Sequence, residues 1–348
     1  MEIKDFLKRK SEWVKGEGPR SDIVMSTRIR IARNVNGHPF YNWADKTKRK
    51  EVFEKMMAAM KGAVTFKDAQ LIKMKDTTPI ERTFLVERHL ISNEHTHDVD
   101  SKGLVIANEE TLSIMLNEED HLRLQVIKSG FNLMEAWKII DEIDTNLGTH
   151  LPYAYSSKFG YLTACPTNTG TGLRSSVMLH MPALELTNQM ERVYEAISKL
   201  GLTIRGFYGE GSEASGNFFQ ISNQVSLGHS EMDILDNFGR VVDKIIEREK
   251  DTRDYLMENK KREVTDNIFR SFGTLKSARI ITSSETIRLL SAVRLGVDLG
   301  LIKEVTVTAL NEILLLMQPG HLQVLNNEGL GQSERDIRRA DMIRDKLV

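Results

Sequence analysis

Residues 165–178 constrain this chain more than any other stretch. They read Cys-Pro-Thr-Asn-Thr-Gly-Thr-Gly-Leu-Arg-Ser-Ser-Val-Met and contain the only cysteine of the sequence. Glycine permits close backbone approach, so N–H groups of such a loop can contact an anion. The guanidinium of Arg174, which opens the apolar run, suits phosphate oxygens. No Gly-Lys-Ser/Thr follows at P-loop spacing, so the stretch is either a different anion-binding loop or an ordinary turn between two strands.

Composition narrows the class of protein. A chain of 348 residues predicts two domains, or one large domain with an appendage. Its 40% hydrophobic and 28% charged residues fit a globular protein with a substantial core. A net charge of −1 gives no general attraction for nucleic acid, and no apolar run is long enough to span a membrane. One cysteine, 15 methionines and no signal-peptide pattern predict a cytoplasmic protein.

Two arginines lie close together near the start of the chain. Polar and apolar residues alternate from Thr27 to Ile31, which predicts a strand. Arg28 and Arg30 then point to the same face, because side chains alternate along a strand. Such a pair indicates an anion between the two arginines, or else a solvated edge strand.

Periodicity predicts the order of the other elements. Helices are expected at 45–62, about 131–146, and 184–200, and strands at 103–107, 111–116, 176–183 and 218–222. Residues 231–262 have the pattern of one long charged helix, or of two in series, and the remainder is also helical. We therefore predict a first domain over 1–253 and a helical second domain over 254–348.

Polar clusters follow three of these elements. Residues 117–123, Asn-Glu-Glu-Asp-His-Leu-Arg, end an apolar strand and form either a solvated turn or an acid–base site. Residues 209–217 form a Gly/Ser/Glu loop that either carries Glu213 over a site or is a plain hairpin loop. In the tail, 335–340 read Arg-Asp-Ile-Arg-Arg-Ala, a pattern typical of a charged helix that could hold a phosphate.

Four motifs resemble those of the ATP:guanidino phosphotransferases, which include creatine and arginine kinases. They are Ser-Thr-Arg-Ile-Arg at 26–30, the segment 117–123, the segment 165–174, and Arg-Gly-Phe-Tyr-Gly-Glu-Gly-Ser-Glu at 205–213. The resemblance runs in order from about residue 20 to 250. It implies an α+β fold, a curved antiparallel sheet flanked by helices, followed here by an all-helical C-terminal domain. It also implies ATP as substrate, with Mg²⁺ carried by the nucleotide and no metal site of the protein's own.

The resemblance assigns roles to single residues. The carboxylates that hold the guanidinium fall on Glu119 and Glu213, the contacting cysteine falls on Cys165, and Glu118 supports the Mg²⁺ shell through water. His89 matches the adenine-contacting histidine, although a lone histidine is more often structural. One phosphate-binding arginine of the arginine kinases falls on Tyr208 and is lost, and Arg205 is the candidate replacement. The expected nucleotide-binding residues are Ser26, Thr27, Arg28, Ile29, Arg30, His89, Arg123, Arg174, Ser175, Ser176, Val177, Met178, Arg205, Gly206, Phe207, Tyr208, Gly209 and Glu210.

Two departures point to one branch of the family. About twenty residues precede the first arginine strand here, where the metabolite kinases carry a helical domain of about a hundred, and the region after residue 253 is foreign to them. Both features resemble the bacterial members that phosphorylate arginine side chains in proteins. That resemblance implies that Arg335, Asp336, Arg338 and Arg339 bind phosphoarginine, and that the enzyme is under allosteric control. It further implies protein substrates with exposed arginines, an activator protein, a stress-gene repressor and a Clp chaperone-protease as partners.

The expected chemistry follows from the guanidinium. Its pKa lies above about 12, so it is a cation and a poor nucleophile at neutral pH. Glu119 and Glu213 would align it with the γ-phosphate, and Glu119 would accept its proton. In-line transfer needs fewer assumptions than a phosphocysteine at Cys165. The alternatives are a kinase for free arginine or another guanidino metabolite, and a non-enzymatic phosphoarginine-binding adaptor. The long helices after residue 231 would supply the contact of a homodimer or higher oligomer.

Overall fold

Ten strands are present in the computed structural model, which describes residues 3–206, 216–327 and 329–347. They are β1 (Val24–Arg33), β2 (Gln70–Lys73), β3 (Gly103–Ala107), β4 (Leu112–Leu116), β5 (Leu122–Ser129), β6 (Tyr155–Ser156), β7 (Gly160–Tyr161), β8 (Leu173–His180), β9 (Leu202–Gly206) and β10 (Phe218–Asn223). Eight of them form one sheet in the order β2-β3-β4-β5-β1-β8-β10-β9, and β6 pairs only with β7. Every neighbouring pair is antiparallel.

Eleven α-helices accompany the strands in the described ranges. They are α1 (Lys46–Gly62), α2 (Pro79–Glu87), α3 (Leu133–His150), α4 (Pro182–Leu186), α5 (Met190–Lys199), α6 (Glu231–Asn259), α7 (Lys261–Ser277), α8 (Ser283–Asp298), α9 (Val307–Leu316), α10 (Pro319–Asn326) and α11 (Gln332–Lys346). The predicted class, an antiparallel sheet flanked by helices with a helical C-terminal region, is confirmed.

The strands form because apolar side chains alternate toward one buried face. Ile29 and Ile31 of β1 and Val177 of β8 are fully buried in a core shared with α1, α3, α5 and the first half of α6. Their sequence neighbours therefore point to the opposite face of the sheet. This second face carries the candidate site.

Several boundaries differ from the sequence predictions. The single helix predicted at 184–200 is wrong: α4 and α5 are separated by a turn in which Asn188 has a φ of 54°. Residues 231–262 are one helix only as far as Asn259, after which α7 starts at Lys261. The predicted domain boundary near residue 253 lies within α6 and stays a prediction.

A second core joins the sheet to the C-terminal helices. It contains Met178 and Phe218 from strands β8 and β10 together with apolar residues of α7, α8, α9 and α11. Trp13 belongs to the same core and comes from a short 3₁₀ turn, Glu12–Lys15. This turn is fixed to α9, since Thr308 Oγ1 donates to the Lys15 carbonyl at 2.6 Å and Asn311 Nδ2 to the Val14 carbonyl at 3.3 Å. No helix in the described part of the chain is long and apolar enough to cross a bilayer.

Candidate active site

A cleft of about 1140 Å³ opens on the face of the sheet away from α1 and α3. Strand alternation and register bring its basic lining together: Arg30 of β1 lies opposite Arg174 of β8, and Arg205 of β9 lies opposite Gln220 of β10. The prediction that Arg28 and Arg30 share a face is confirmed. The arginines that line the cleft are Arg28, Arg30, Arg123, Arg174 and Arg205.

These arginines repel one another. Burial, followed by the charges of Arg123, Arg174 and Arg205, lowers the pKa of Arg28 to about 9. Burial and the neighbouring arginines also lower the pKa of Arg30 well below its usual range. The Nε of Arg30 is buried and has no acceptor among the described residues. A polyanion in the cleft would relieve the repulsion and supply that acceptor.

Glu118 and Glu119 differ in what they contact. Arg123 Nη1 donates to both carboxylate oxygens of Glu118 at 2.6 Å each, and Ser92 Oγ donates to one of them. Glu118 is 3% exposed, whereas Glu119 is half-buried. Both line the cleft. The carboxylate oxygens of Glu118 are thus engaged with Arg123 and Ser92, and the half-buried Glu119 is the more exposed of the two carboxylates that line the cleft.

The other polar residues of this turn hold it in place. Asp120 Oδ1 accepts from Asn34 Nδ2 and from the Ala164 N–H, at 2.7 Å each. Val35 N–H donates to His121 Nδ1 at 3.0 Å, and His121 Nε2 donates to the Pro39 carbonyl at 3.1 Å. The side chains of Asp120 and His121 are both buried. The bond from Ala164 ties the Glu119 turn to the loop that carries Cys165.

The glycines of the Cys165 loop serve packing within the protein. Gly172 has a φ of 69°, and a Cβ there would lie 2.6 Å from the Ala32 carbonyl oxygen of β1. Gly170 approaches the backbone of Ser226 in a similar way. The prediction that these glycines allow a close approach of the backbone was therefore right, but the group that approaches Gly170 and Gly172 in the structure is protein backbone, not an anion. Cys165 itself lines the cleft, with its Sγ 3.0 Å from Thr167 Oγ1.

His89 lies at another part of the cleft, just after α2. Its backbone is left-handed, with a φ of 61°, and Gln125 Nε2 donates to its carbonyl at 2.6 Å. Burial, with a smaller contribution from the charge of Arg28, lowers the pKa of His89 to about 3, so the imidazole is neutral at physiological pH. Its ring meets the Trp13 indole edge to face, at 5.4 Å between centroids.

The remaining predicted residues divide into three groups. Four side chains face the buried core or are fully enclosed: Thr27, Ile29, Ser175 and Val177. Another four do not line the cleft: Ser26, Ser176, Met178 and Gly206. Of these, Ser176 contacts a cleft arginine, since its Oγ accepts from Arg28 Nε at 3.4 Å. Glu213, Phe207, Tyr208, Gly209 and Glu210 lie outside the described residues.

The three arginines of the C-terminal motif on α11, Arg335, Arg338 and Arg339, differ in exposure and in their partners. Arg339 is 2% exposed, and its Nε and Nη1 donate to the Met317 and Ile281 carbonyls at 2.9 Å each. It also pairs with Asp336. Arg335 donates to the Leu330 carbonyl at 2.6 Å, and Arg338 is exposed beside Glu334. These four residues do not line the cleft.

Sequence reasoning missed several lining residues. Gln220 accepts from Arg28 Nη2 at 2.7 Å, and the strand period of β10 could have placed it on the arginine face. Trp13, Leu314, Leu315 and Gln318 also line the cleft. Nothing in the sequence joins these to the kinase motifs, because they come from distant segments that meet only in the fold.

Known families and proteins of similar sequence show what kind of protein this chain resembles. A family model described as ATP:guanido phosphotransferase, C-terminal catalytic domain, matches residues 51–252, and one described as protein-arginine kinase McsB C-terminal domain matches 261–348. A protein-arginine kinase of Halothermothrix orenii is 49% identical over 348 residues, covering 100% of this chain and 99% of that protein. One of Bacillus subtilis is 46% identical, covering 100% and 96%.

Solved structures show the same fold. A taurocyamine kinase of Schistosoma mansoni with transition-state-analogue components superposes with a TM-score of 0.62 and 30% identity, covering 72% of this chain and 36% of that duplicated kinase. A lombricine kinase gives a TM-score of 0.60 over 71% of this chain and 75% of that chain, at 24% identity. The chain therefore belongs to the ATP:guanido phosphotransferase family, and its full-length relatives place it among the protein-arginine kinases of that family.

Proposed function

We propose that this protein transfers the γ-phosphoryl group of ATP to the guanidinium of arginine side chains in other proteins. The observation that carries the proposal is a single cleft whose lining includes five arginines together with Glu119 and the cysteine: Arg28, Arg30, Arg123, Arg174, Arg205, Glu119 and Cys165. Phosphoryl transfer depends on positioning and on neutralising charge, and this lining provides both.

The arginines would hold the triphosphate. The lowered pKa values of Arg28 and Arg30, and the buried Nε of Arg30 without an acceptor among the described residues, fit a polyphosphate. Among described residues, no group of three or more His, Cys, Asp or Glu side chains is placed to hold a metal ion. We propose that Mg²⁺ arrives with the nucleotide, where it neutralises charge on the phosphate oxygens. His89 would contact the base.

The guanidinium would bind beside Glu119 and Cys165. Glu119 would align one nitrogen with the phosphorus and accept its proton as the N–P bond forms and the bond to ADP breaks. Glu213 is proposed as the second carboxylate on the strength of the family motif. The role first expected for Glu118, support of Mg²⁺ through water, is less favoured than positioning, since its two oxygens already accept from Arg123, Ser92 and the Glu119 N–H.

The wider biological role rests on the family resemblance. We propose that phosphoarginine marks proteins for a Clp chaperone-protease, that a stress-gene repressor is a substrate, and that an activator protein and the Arg335–Arg339 region regulate the enzyme. We further propose a cytoplasmic homodimer or higher oligomer. Copurification with the protease subunit, dependent on substrate phosphorylation, tests the first of these proposals.

The activity is tested directly by mass spectrometry under conditions that preserve acid-labile N–P bonds. The protein is incubated with Mg-ATP and an arginine-rich protein, and in parallel with free arginine. Phosphate on protein arginines is expected for the wild type and for Glu142→Gln, a control on the exposed face of α3, but not for Glu119→Gln. Phosphate on free arginine alone would favour the metabolite kinase. An unlabelled substrate with retained binding of phosphoarginine peptides would favour the adaptor.

A further inference from the structure

We propose that the outer edge of β2 is a docking site for an extended segment of another protein. The segment fits there as an additional strand, with one apolar side chain flanked by acidic residues. The site is separate from the active-site cleft, since none of the described residues lines both cavities. A partner held at β2 would leave the cleft open, so the site adds to the proposed function and does not depend on it.

The strand β2 forms one end of the eight-stranded sheet, so only one of its edges is paired with another strand of that sheet. Leu71 lies opposite Val105 of β3, and the Met74 N–H donates to the Lys102 carbonyl at 3.0 Å. Because ladder bonds alternate along an antiparallel pair, Leu71 and Lys73 direct their backbone N–H and C=O groups away from β3. A strand edge with outward backbone groups is a template for an added strand.

A cavity of about 480 Å³ adjoins this edge. The end of α1, the turn after it, β2 and β3 supply its mostly apolar lining, which consists of Met60, Lys61, Gly62, Ala63, Phe66, Lys67, Ala69, Leu71 and Val105. Residues directly opposite each other on neighbouring strands point to the same face of the sheet. A residue of the added strand opposite Leu71 would therefore direct its side chain toward the cavity. An apolar cavity of this size suits a large apolar side chain as the anchor.

Three lysines surround the site. Lys61 and Lys67 line the cavity, and Lys73 is on the same strand face as Leu71, two residues further along β2. All three lysines are exposed, and no acidic residue lines the cavity among the described residues. Acidic residues on either side of the apolar anchor would meet these lysines. The same lysines disfavour pairing of β2 with β2 of a second copy, because like charges would then lie close together.

The first test uses a synthetic peptide, Glu-Asp-Thr-Leu-Thr-Glu-Asp, labelled for fluorescence anisotropy. Saturating ATP keeps the acidic peptide out of the arginine cleft. We expect saturable binding with a Kd below about 1 mM, and at least roughly tenfold weaker binding when lysines replace the four acidic residues. Absence of binding would mean that β2 is only an edge protected by its lysines, and would overturn the proposal.

Two substitutions of Lys73 separate the backbone from the charge. Lys73 has a φ of −83°, near the range of proline, so Lys73→Pro should remove the outward N–H and keep the pairing with β3. Lys73→Gln removes only the charge. Loss of one backbone hydrogen bond should raise the Kd of the peptide roughly fivefold in Lys73→Pro relative to Lys73→Gln. Equal Kd values for the two variants would overturn strand addition.

The cavity and its lysines are tested with two further variants. Ala69→Leu reduces the space for the anchor, and Lys67→Glu reverses a charge beside it. Each should raise the Kd of the peptide roughly threefold or more. The control is Lys244→Glu, an exposed position of α6 outside the cavity lining, which should bind the peptide as the wild type does. Equal Kd values for all three variants and the wild type would place the peptide elsewhere and overturn the proposal.

Light scattering distinguishes another protein from a second copy of this chain as the occupant. Lys73→Pro should leave the molecular mass in solution unchanged. A lower mass would mean that the edge joins copies of this chain, contrary to the proposal. All these variants should still phosphorylate an arginine-rich protein, because none of them alters the cleft. A wild type that binds the peptide but phosphorylates no arginine would contradict the proposed function and leave the docking site in place.

Discussion

Both carboxylate oxygens of Glu118 accept hydrogen bonds from Nη1 of Arg123, at 2.6 Å each. Burial alone would raise the pKa of Glu118, but the charge of Arg123 and the bonds from Ser92, Arg123 and the Glu119 N–H outweigh it and lower the pKa to about 2. The carboxylate is thus charged at neutral pH. It fixes Arg123 in the cleft and orients the backbone of Glu119 next to it.

Replacing Glu118 should therefore impair catalysis through Arg123. In Glu118→Gln the guanidinium loses its ion pair, and a misplaced positioning group typically costs about tenfold to a hundredfold in kcat/KM. We expect a raised KM for ATP along with the lower kcat. Steady-state kinetics at several ATP concentrations would measure both, with Glu142→Gln as a control. Unchanged kinetics would show that Arg123 is held without Glu118.

The repulsion among the cleft arginines should make the protein less stable without nucleotide than with ATP bound. Arg30→Met removes a buried charge that is repelled by Arg28, Arg123 and Arg174, so the free energy of unfolding without nucleotide should stay equal or rise by up to about 2 kcal/mol. The increase in Tm caused by ATP should be largely lost. Thermal unfolding with and without ATP tests both statements. Arg192→Met, on the exposed side of α5, should preserve the ATP-induced increase.

His121 should give the fold a defined pH dependence. Burial lowers its folded-state pKa to about 4, below the value of about 6.5 in an unfolded chain. Its contribution to stability is therefore complete above pH 6.5 and is lost as pH falls toward 4, by up to about 3 kcal/mol. His121→Gln should be less stable than the wild type at pH 7, but its free energy of unfolding should change less between pH 6.5 and 4.

Denaturant unfolding at several pH values measures that slope. His150→Gln, at the exposed end of α3, serves as the control and should keep the wild-type slope. Equal slopes for His121→Gln and wild type would mean that His121 already binds a proton in the folded protein.

The two neighbouring arginines of α11 should behave differently. Arg339→Met leaves Asp336 and the Met317 and Ile281 carbonyls without their donor, which should cost about 3 kcal/mol or more. Arg338→Met should stay within about 0.5 kcal/mol of wild type, because Arg338 is exposed. Chemical denaturation of both variants makes the comparison.

The same pair tests the phosphoarginine prediction. If the motif binds phosphoarginine through its accessible groups, Arg338→Met should weaken binding of a phosphoarginine peptide without changing stability. Unchanged peptide binding would leave Arg338 as a solvated helix residue.

The local sequence pattern predicted those parts of the site that follow from the regular alternation of side chains along a strand or a helix. Alternation in β1 put Arg28 and Arg30 on one face, and the motif around Glu119 indicated a carboxylate cluster at a strand end. The helical stripes of α1 and α3 were equally readable, because apolar side chains repeat at the period of the element that buries them.

Tertiary structure decided which members of each motif reach the cleft. Of the polar residues in 117–121, Asp120 and His121 are buried by partners such as Asn34, Ala164 and Val35, which no local pattern connects to them. The position of the Trp13 turn likewise depends on hydrogen bonds from α9, between residues some three hundred positions apart. The sequence by itself determined the strand that carries Arg28 and Arg30 and the family motifs. Only packing between distant segments determined that Glu119 lines the cleft while Glu118 holds Arg123, and that the turn carrying Trp13 is bound to α9.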